Sequence, residues 1–325
     1  MASMLMVSCR NEFWSPIEFS TVNEIRRIDL DTGVGTGVQY SEFLKELAKR
    51  RITVLVHGYN NEALDVIKSY RTIDSQMREL GFLDATSSSH YDALVGFAWP
   101  GGAVGVAFPF ARQRASETAP RFTRLLSDLR SAGTTLDLNT HSLGAHVAFE
   151  ALREGPPDVV RNAWNFASAV DNESIEFKER YFAASRRCER CYVFHSKNDP
   201  VLRVWYRIGD LFEFDTALGY SGPEDPADIM DQSPHVRVIN CKDVVSSHGG
   251  YRSTGQVWAY MAQELTEPSA PQFFTLTKSP EALNAVFRVT GEALTAAART
   301  KPQRLGAQPG RVPRRTKRTR RRGRE

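Results

Sequence analysis

Four cysteines in 325 residues are too few to suggest a disulfide framework, and the N-terminus lacks the charged segment and long apolar run of a secretory leader. A reduced, cytoplasmic protein is therefore expected. No stretch approaches the roughly 20 apolar residues that cross a bilayer, which argues against a membrane-spanning chain. Repeats at solenoid-like periods are also missing, leaving one main globular domain as the expectation. Apolar residues almost vanish from residues 301–325, which hold 11 Lys or Arg and one acid. Such a segment cannot bury enough surface to offset chain entropy, so a disordered basic tail is predicted. The formal charge of +4 thus conceals a net acidic body. The tail suits non-specific, salt-sensitive binding to nucleic acid, anionic lipid or an acidic partner. It lacks the interleaved aromatics that base stacking needs.

What is present, at an ordinary 41% hydrophobic, is an alternating pattern. Short apolar runs rich in β-branched or aromatic residues occur at Ile52–Val56, Ala93–Trp99, Leu136–Leu138, Val159–Phe166, Cys191–His195 and Val236–Ile239. Helical stretches follow at Ala63–Leu80, Ala119–Arg130, Leu143–Arg153, Ile175–Ala184 and Gly255–Leu265. This alternation predicts an α/β protein with a mostly parallel, twisted sheet and helices on both faces. Residues 1–50 read as a strand or hairpin region packing on that sheet, with a glycine-rich turn at Thr32–Gly37, and residues 51–268 as the catalytic core. Two segments interrupt the pattern: the apolar loop Gly101–Phe110 and an aromatic insertion at 201–234, both suited to covering a pocket. Residues 269–300 read as a linker and a C-terminal helix, with Ser279 and Pro280 at its start.

The chemistry concentrates in TLDLNTHSLGAHVAFEALRE, where an apolar strand breaks at a small-residue turn into a helix with Ser142 at the apex. A sharp strand-to-helix turn lifts a serine hydroxyl clear of the backbone and sets the Leu143 amide at a helix N-terminus, beside a developing oxyanion. Acyl transfer also needs a base, a carboxylate to orient it and further amide donors. Asp199, in KNDP after one strand, and His248, in SSHGGYR after the next, fill the first two roles in the order Ser, Asp, His. Asp171, in AVDNES after the preceding strand, is an alternative acid. In RITVLVHGYNNE, His57 and Gly58 form an oxyanion loop in which the amide of Tyr59 or Asn60 can supply a second donor. His141 and His146 lie too close to Ser142 in sequence to serve as its base.

Each signal has a bland counterpart. An isolated serine of this kind is often a helix N-cap, Asn-Asp-Pro often a turn, and a basic run often a solvated tail. Cys188 and Cys191 form a CxxC, but residues three apart in a strand point to opposite faces, so no metal site is expected and no cofactor is called for.

The combination VLVHGYNN, GFAWPGG, THSLGA, HSKNDPVL, ALGYSGPE and HGGYR, in this order over residues 50–265, resembles the DUF900 group of bacterial α/β hydrolases of unknown function. The resemblance implies the α/β-hydrolase fold with Ser142, Asp199 and His248 as triad, and supplies no substrate. The usual first glycine of the elbow is Thr140 here, a larger residue where strand and helix pack closely. The expected activity is that of an esterase-like serine hydrolase acting on a small acyl substrate. A thioesterase, amidase or peptidase on the same residues is the alternative, as is a binding module targeted by its basic tail.

Overall fold

The computed structural model describes residues 2–83, 90–102, 108–206 and 216–278. Ten strands form one sheet: β1 (Ser3–Arg10), β2 (Phe19–Asp29), β3 (Gly35–Gly37), β4 (Arg51–Val56), β5 (Ala93–Ala98), β6 (Thr135–His141), β7 (Val160–Phe166), β8 (Cys188–His195), β9 (Val236–Asn240) and β10 (Phe273–Thr275). Their order is β10-β9-β8-β7-β6-β4-β5-β1-β2-β3, with every pair parallel except β1–β2 and β2–β3. Ile52–Val56 of β4 are all buried, as expected of a parallel strand covered on both faces.

Helices accompany the strands, among them α1 (Tyr40–Leu47), α2 (Ala63–Glu79), α3 (Phe108–Ser131) and α4 (Gly144–Glu154). Helix α2 opens on a capping box between Glu62 and Asp65 and buries Val66, Tyr70, Ile73 and Met77 along one stripe. Helices α3 and α4 pack against each other. The helix Gly255–Thr266 sets Trp258 against Phe82, just beyond α2, with ring centroids 6.0 Å apart. Among the described residues no helix is long and apolar enough to cross a membrane.

Four local expectations are revised. The N-terminal region is more than a hairpin, because β1 enters the sheet interior parallel to β5 and is buried from Met4 to Arg10. Gly35–Gly37, expected to be turn, is a short edge strand. Helix α3 begins at Phe108 and runs through Pro120, since Ala111, Ala115, Ala119, Phe122 and Leu126 bury one continuous stripe that outweighs the hydrogen bond lost at proline. Of the helix expected over Ile175–Ala184, only Phe182–Ser185 forms. The preceding residues make tight turns in which Glu176 accepts the Asp225 amide at 2.7 Å and Lys178 takes φ +71°. The described parts of 201–234 include helices Leu218–Ser221 and Pro226–Gln232, the latter capped by Asp225. Much of the expected pocket cover, the C-terminal helix and the basic tail fall in 103–107, 207–215 and 279–325, outside the described residues.

The chain passes from β4 to β5 on one side and returns to β6 on the other. In open parallel sheets such a reversal leaves a crevice beyond the carboxyl ends of the strands. Gly58 and Ser142 lie directly after β4 and β6, at that crevice.

Candidate active site

Ser142 adopts φ +56°, a left-handed conformation that is uncommon for a residue with a side chain. The turn is fixed by its neighbours: the Ser142 amide donates to Phe166 O at 2.9 Å, and its carbonyl accepts from Ala145 and Ala169, each at 3.1 Å. Leu143 follows with φ −66° as the cap of α4, whose leading amides point out of the helix N-terminus. A Cβ on Gly144 would lie 2.5 Å from the carbonyl oxygens of Val56 and His57, so only glycine lets the elbow seat against β4. Thr140, in place of the usual glycine, is buried and donates through Oγ1 to Asn165 Oδ1 at 2.8 Å. The extra bulk is thereby satisfied within the sheet.

Asp199 is fully buried. One carboxylate oxygen, Oδ1, accepts the amides of Val201 at 2.9 Å and Leu202 at 3.1 Å, which closes the turn after β8. The other, Oδ2, lies 2.7 Å from His248 Nδ1. That contact places the imidazole proton on Nδ1 and leaves Nε2 with its lone pair. The loops carrying the two residues are laced together: Ser196 Oγ donates to Val245 O and Asn198 Nδ2 to Lys242 O, both at 2.7 Å. Asp171 instead forms an ion pair with Arg112 at 2.9 Å. Of the two candidate acids, Asp199 is the one joined to His248.

His141 takes a part that sequence reasoning did not assign. Its Nε2 donates to the His248 carbonyl at 2.8 Å, and the two rings meet edge to face with centroids 4.6 Å apart. Burial, and then the charge of Arg252, holds its pKa well below the ordinary histidine value, so it serves as a neutral donor. This bond ties the His248 loop to the residue immediately before Ser142. Among the described residues neither Ser142 Oγ nor His248 Nε2 has a hydrogen-bond partner.

The loop after β4 is held by a buried polar lattice. A Cβ on Gly58 would fall 2.8 Å from Ser142 Cβ, so this glycine is what brings the loop against the elbow. His57 donates from Nδ1 to Gly58 O at 2.8 Å and accepts at Nε2 from Arg10 at 3.0 Å and from the Trp99 amide at 3.2 Å. Burial, followed by the Arg10 charge, drives its pKa well below normal, which suits a structural role rather than that of a base. Arg10, at the end of β1, is itself fully buried and also donates to Trp99 O and Asn61 O, both at 2.8 Å. Its role escaped the sequence reading, although an arginine closing an apolar strand was a visible signal. The Asn60 amide donates to Gly101 O at 3.2 Å, and Asn60 sits at φ +54°. The Asn60 amide is thus engaged by the loop after β5. Tyr59, next to Gly58, packs its ring edge to face against Phe108, with centroids 5.8 Å apart.

Cys188 and Cys191 are both buried in β8, and no group of three or more metal-ligating side chains occurs among the described residues.

Among solved structures the chain is similar to the peroxisomal alpha-beta-hydrolase Lpx1 of Saccharomyces cerevisiae, at 9% identity and a TM-score of 0.32, over 96% of this chain and 93% of that one. No curated protein matches the sequence. The family described as "Alpha/beta hydrolase of unknown function (DUF900)" matches residues 36–216, more than half of the chain. The chain belongs to this DUF900 family of α/β hydrolases.

Proposed function

We propose that this protein is a serine hydrolase that cleaves a carboxylic ester or related acyl bond through Ser142, His248 and Asp199. The observation that carries this reading is the 2.7 Å contact between Asp199 and His248, on a loop pinned by His141 to the strained turn at Ser142. With its proton held on Nδ1, His248 presents Nε2 to take the hydroxyl proton of Ser142 as Oγ attacks the acyl carbon. The negative charge then gathers on the former carbonyl oxygen, where the Leu143 and Tyr59 amides stand to meet it; one such donor is worth roughly 2.7 to 4 kcal/mol. The imidazolium gives its proton to the leaving group, and an acyl-serine remains. Water, deprotonated by His248, attacks that ester and frees Ser142.

A fluorophosphonate probe tests the nucleophile directly, since it reacts only with an activated serine. Wild-type protein labels and Ser142→Ala does not; equal labelling of the two, or none of either, removes the proposal. Hydrolysis of p-nitrophenyl esters of short and long acyl chains then ranks the acyl group. Turnover in Ser142→Ala is expected to fall on the order of 10⁴-fold or more with the fold retained.

A further inference from the structure

Behind the His248 loop lies a cavity of about 10 Å³ whose lining includes Ile73, His141, Phe166, Tyr251 and Trp258. That is room for roughly one water molecule. Two polar atoms of the lining residues are buried without a partner among the described residues: the Tyr251 hydroxyl and His141 Nδ1. Their chemistry is complementary to that of water. Because His141 gives its Nε2 proton to the His248 carbonyl and is held neutral, its Nδ1 carries a lone pair and no hydrogen. That atom can only accept. Burial keeps the Tyr251 phenol protonated, so its hydroxyl can donate. One water that donates to Nδ1 and accepts from the phenol satisfies both, and buried polar groups nearly always find such a partner.

The Tyr251 ring is set in place by the turn Gly250–Ser253, which directly follows the His248 loop. Thr254 Oγ1 donates to Gly250 O at 2.8 Å and Trp258 Nε1 to Arg252 O at 2.9 Å, while the ring packs on Phe166 with centroids 5.9 Å apart. The consequence falls on the tautomer of His141. With the proton on Nδ1 instead, Nε2 would turn a lone pair toward the His248 carbonyl, and the tie between base loop and elbow would be lost. A water donating to Nδ1 favours the tautomer that keeps this tie. We propose that Tyr251 is a positioning residue: through one buried water it fixes His141 as the donor to the His248 carbonyl, and so keeps the base loop fastened to the turn at Ser142. The kinetic part of this proposal rests on the hydrolase reading.

The experiment uses the full chain. Crystals that diffract well enough to show ordered water are expected to hold one water within hydrogen-bond distance of both the Tyr251 hydroxyl and His141 Nδ1. Proton–nitrogen NMR of the histidine rings should find the His141 proton on Nε2, with an Nδ1 shift that moves toward that of a free ring nitrogen in Tyr251→Phe. This variant removes one oxygen from a ring that stays packed on Phe166. Its kcat is expected to fall about 3- to 10-fold with KM unchanged, the effect of one lost hydrogen bond. In a His141→Phe background the same change should cost nothing further, because its route to His248 is already gone. A merely structural tyrosine would cost the same in both backgrounds. The proposal is overturned by a cavity without the bridging water, by a His141 proton on Nδ1, by an unaltered kcat in Tyr251→Phe, or by additive losses in the double variant. Wild-type protein that neither labels with fluorophosphonate nor hydrolyses esters removes the hydrolase reading and the kinetic role with it, while the density and the ring-nitrogen shifts still decide the bridge.

Discussion

At the scale of single residues, geometry separates groups that do chemistry from groups that hold them. His141 was set aside as a base because it lies beside Ser142 in sequence, yet that adjacency lets it tether the base loop to the elbow. Replacing it with phenylalanine keeps a ring of similar size and removes the donor to the His248 carbonyl. Turnover is expected to fall roughly 10- to 100-fold, the penalty of a displacement of about 1 Å at a reacting group, with KM little changed. His141→Gln, which can still donate, should recover part of that loss. Steady-state kinetics on one ester decide the matter, and an unaltered kcat in the phenylalanine variant would show that His141 positions nothing. Gly144→Ala makes a different point, since its new methyl meets backbone oxygens rather than a yielding side chain. A stability loss of about 1–3 kcal/mol is expected by urea unfolding, together with weaker fluorophosphonate labelling.

Among elements, β1 and the loops it supports carry more than their position suggests. Arg10 brings the end of β1 into contact with the backbone after β4 and β5, so Arg10→Met would take the donor from the Asn61 carbonyl and leave the buried Trp99 carbonyl with the Gly101 amide alone. A destabilisation of about 1–3 kcal/mol per orphaned group is expected, and circular dichroism melts of the variant measure it. The six core strands from β4 to β9 were legible in the sequence because both faces of a parallel strand are buried, which writes a continuous apolar run such as ITVLV. The break from strand to helix at Ser142 was legible for the same reason. What could not be read depended on partners distant in the chain. A buried strand ending in arginine makes sense only once His57 and the Trp99 carbonyl are beside it. The helix expected over Ala119–Arg130 extends back to Phe108, because the packed stripe on either side carries it through Pro120. Nothing near Asn60 in sequence reveals the Gly101 carbonyl that accepts its amide. That Asp199 meets His248 while Asp171 pairs with Arg112 likewise depends on partners far away in sequence.

Across the whole molecule, histidine burial sets the response to acid. His57, His90, His141, His146, His195 and His235 all have pKa values lowered chiefly by desolvation, to about 3 for His146 and about 4 for His195. Their unfolded values lie near 6.5, so below that pH the unfolded chain binds protons that the native chain refuses. Stability is therefore retained above about pH 6.5 and declines as the pH falls toward 4. Each fully buried histidine contributes up to about 1.4 kcal/mol per pH unit to that slope. The urea midpoint is expected to be clearly lower at pH 5.0 than at pH 7.5, and equal midpoints would contradict the burial described here. Charge is just as unevenly distributed as polarity: deletion of residues 301–325 removes 11 positive charges and one negative. Retention on a polyanionic resin at low salt should drop sharply, while ester hydrolysis, if it resides in the core, stays unchanged.

The interior position of β1 also bears on how a gene for this protein is delimited. Met4 and Met6 both lie within that strand, between β5 and β2, where each is at most 2% exposed. Initiation at Met6 would strip Ser3, Met4 and Leu5 from the middle of a sheet rather than trim a loose end, and would loosen the anchorage of Arg10 on which the His57 loop leans. The choice of start codon thus bears on whether a recombinant product has an assembled site at all.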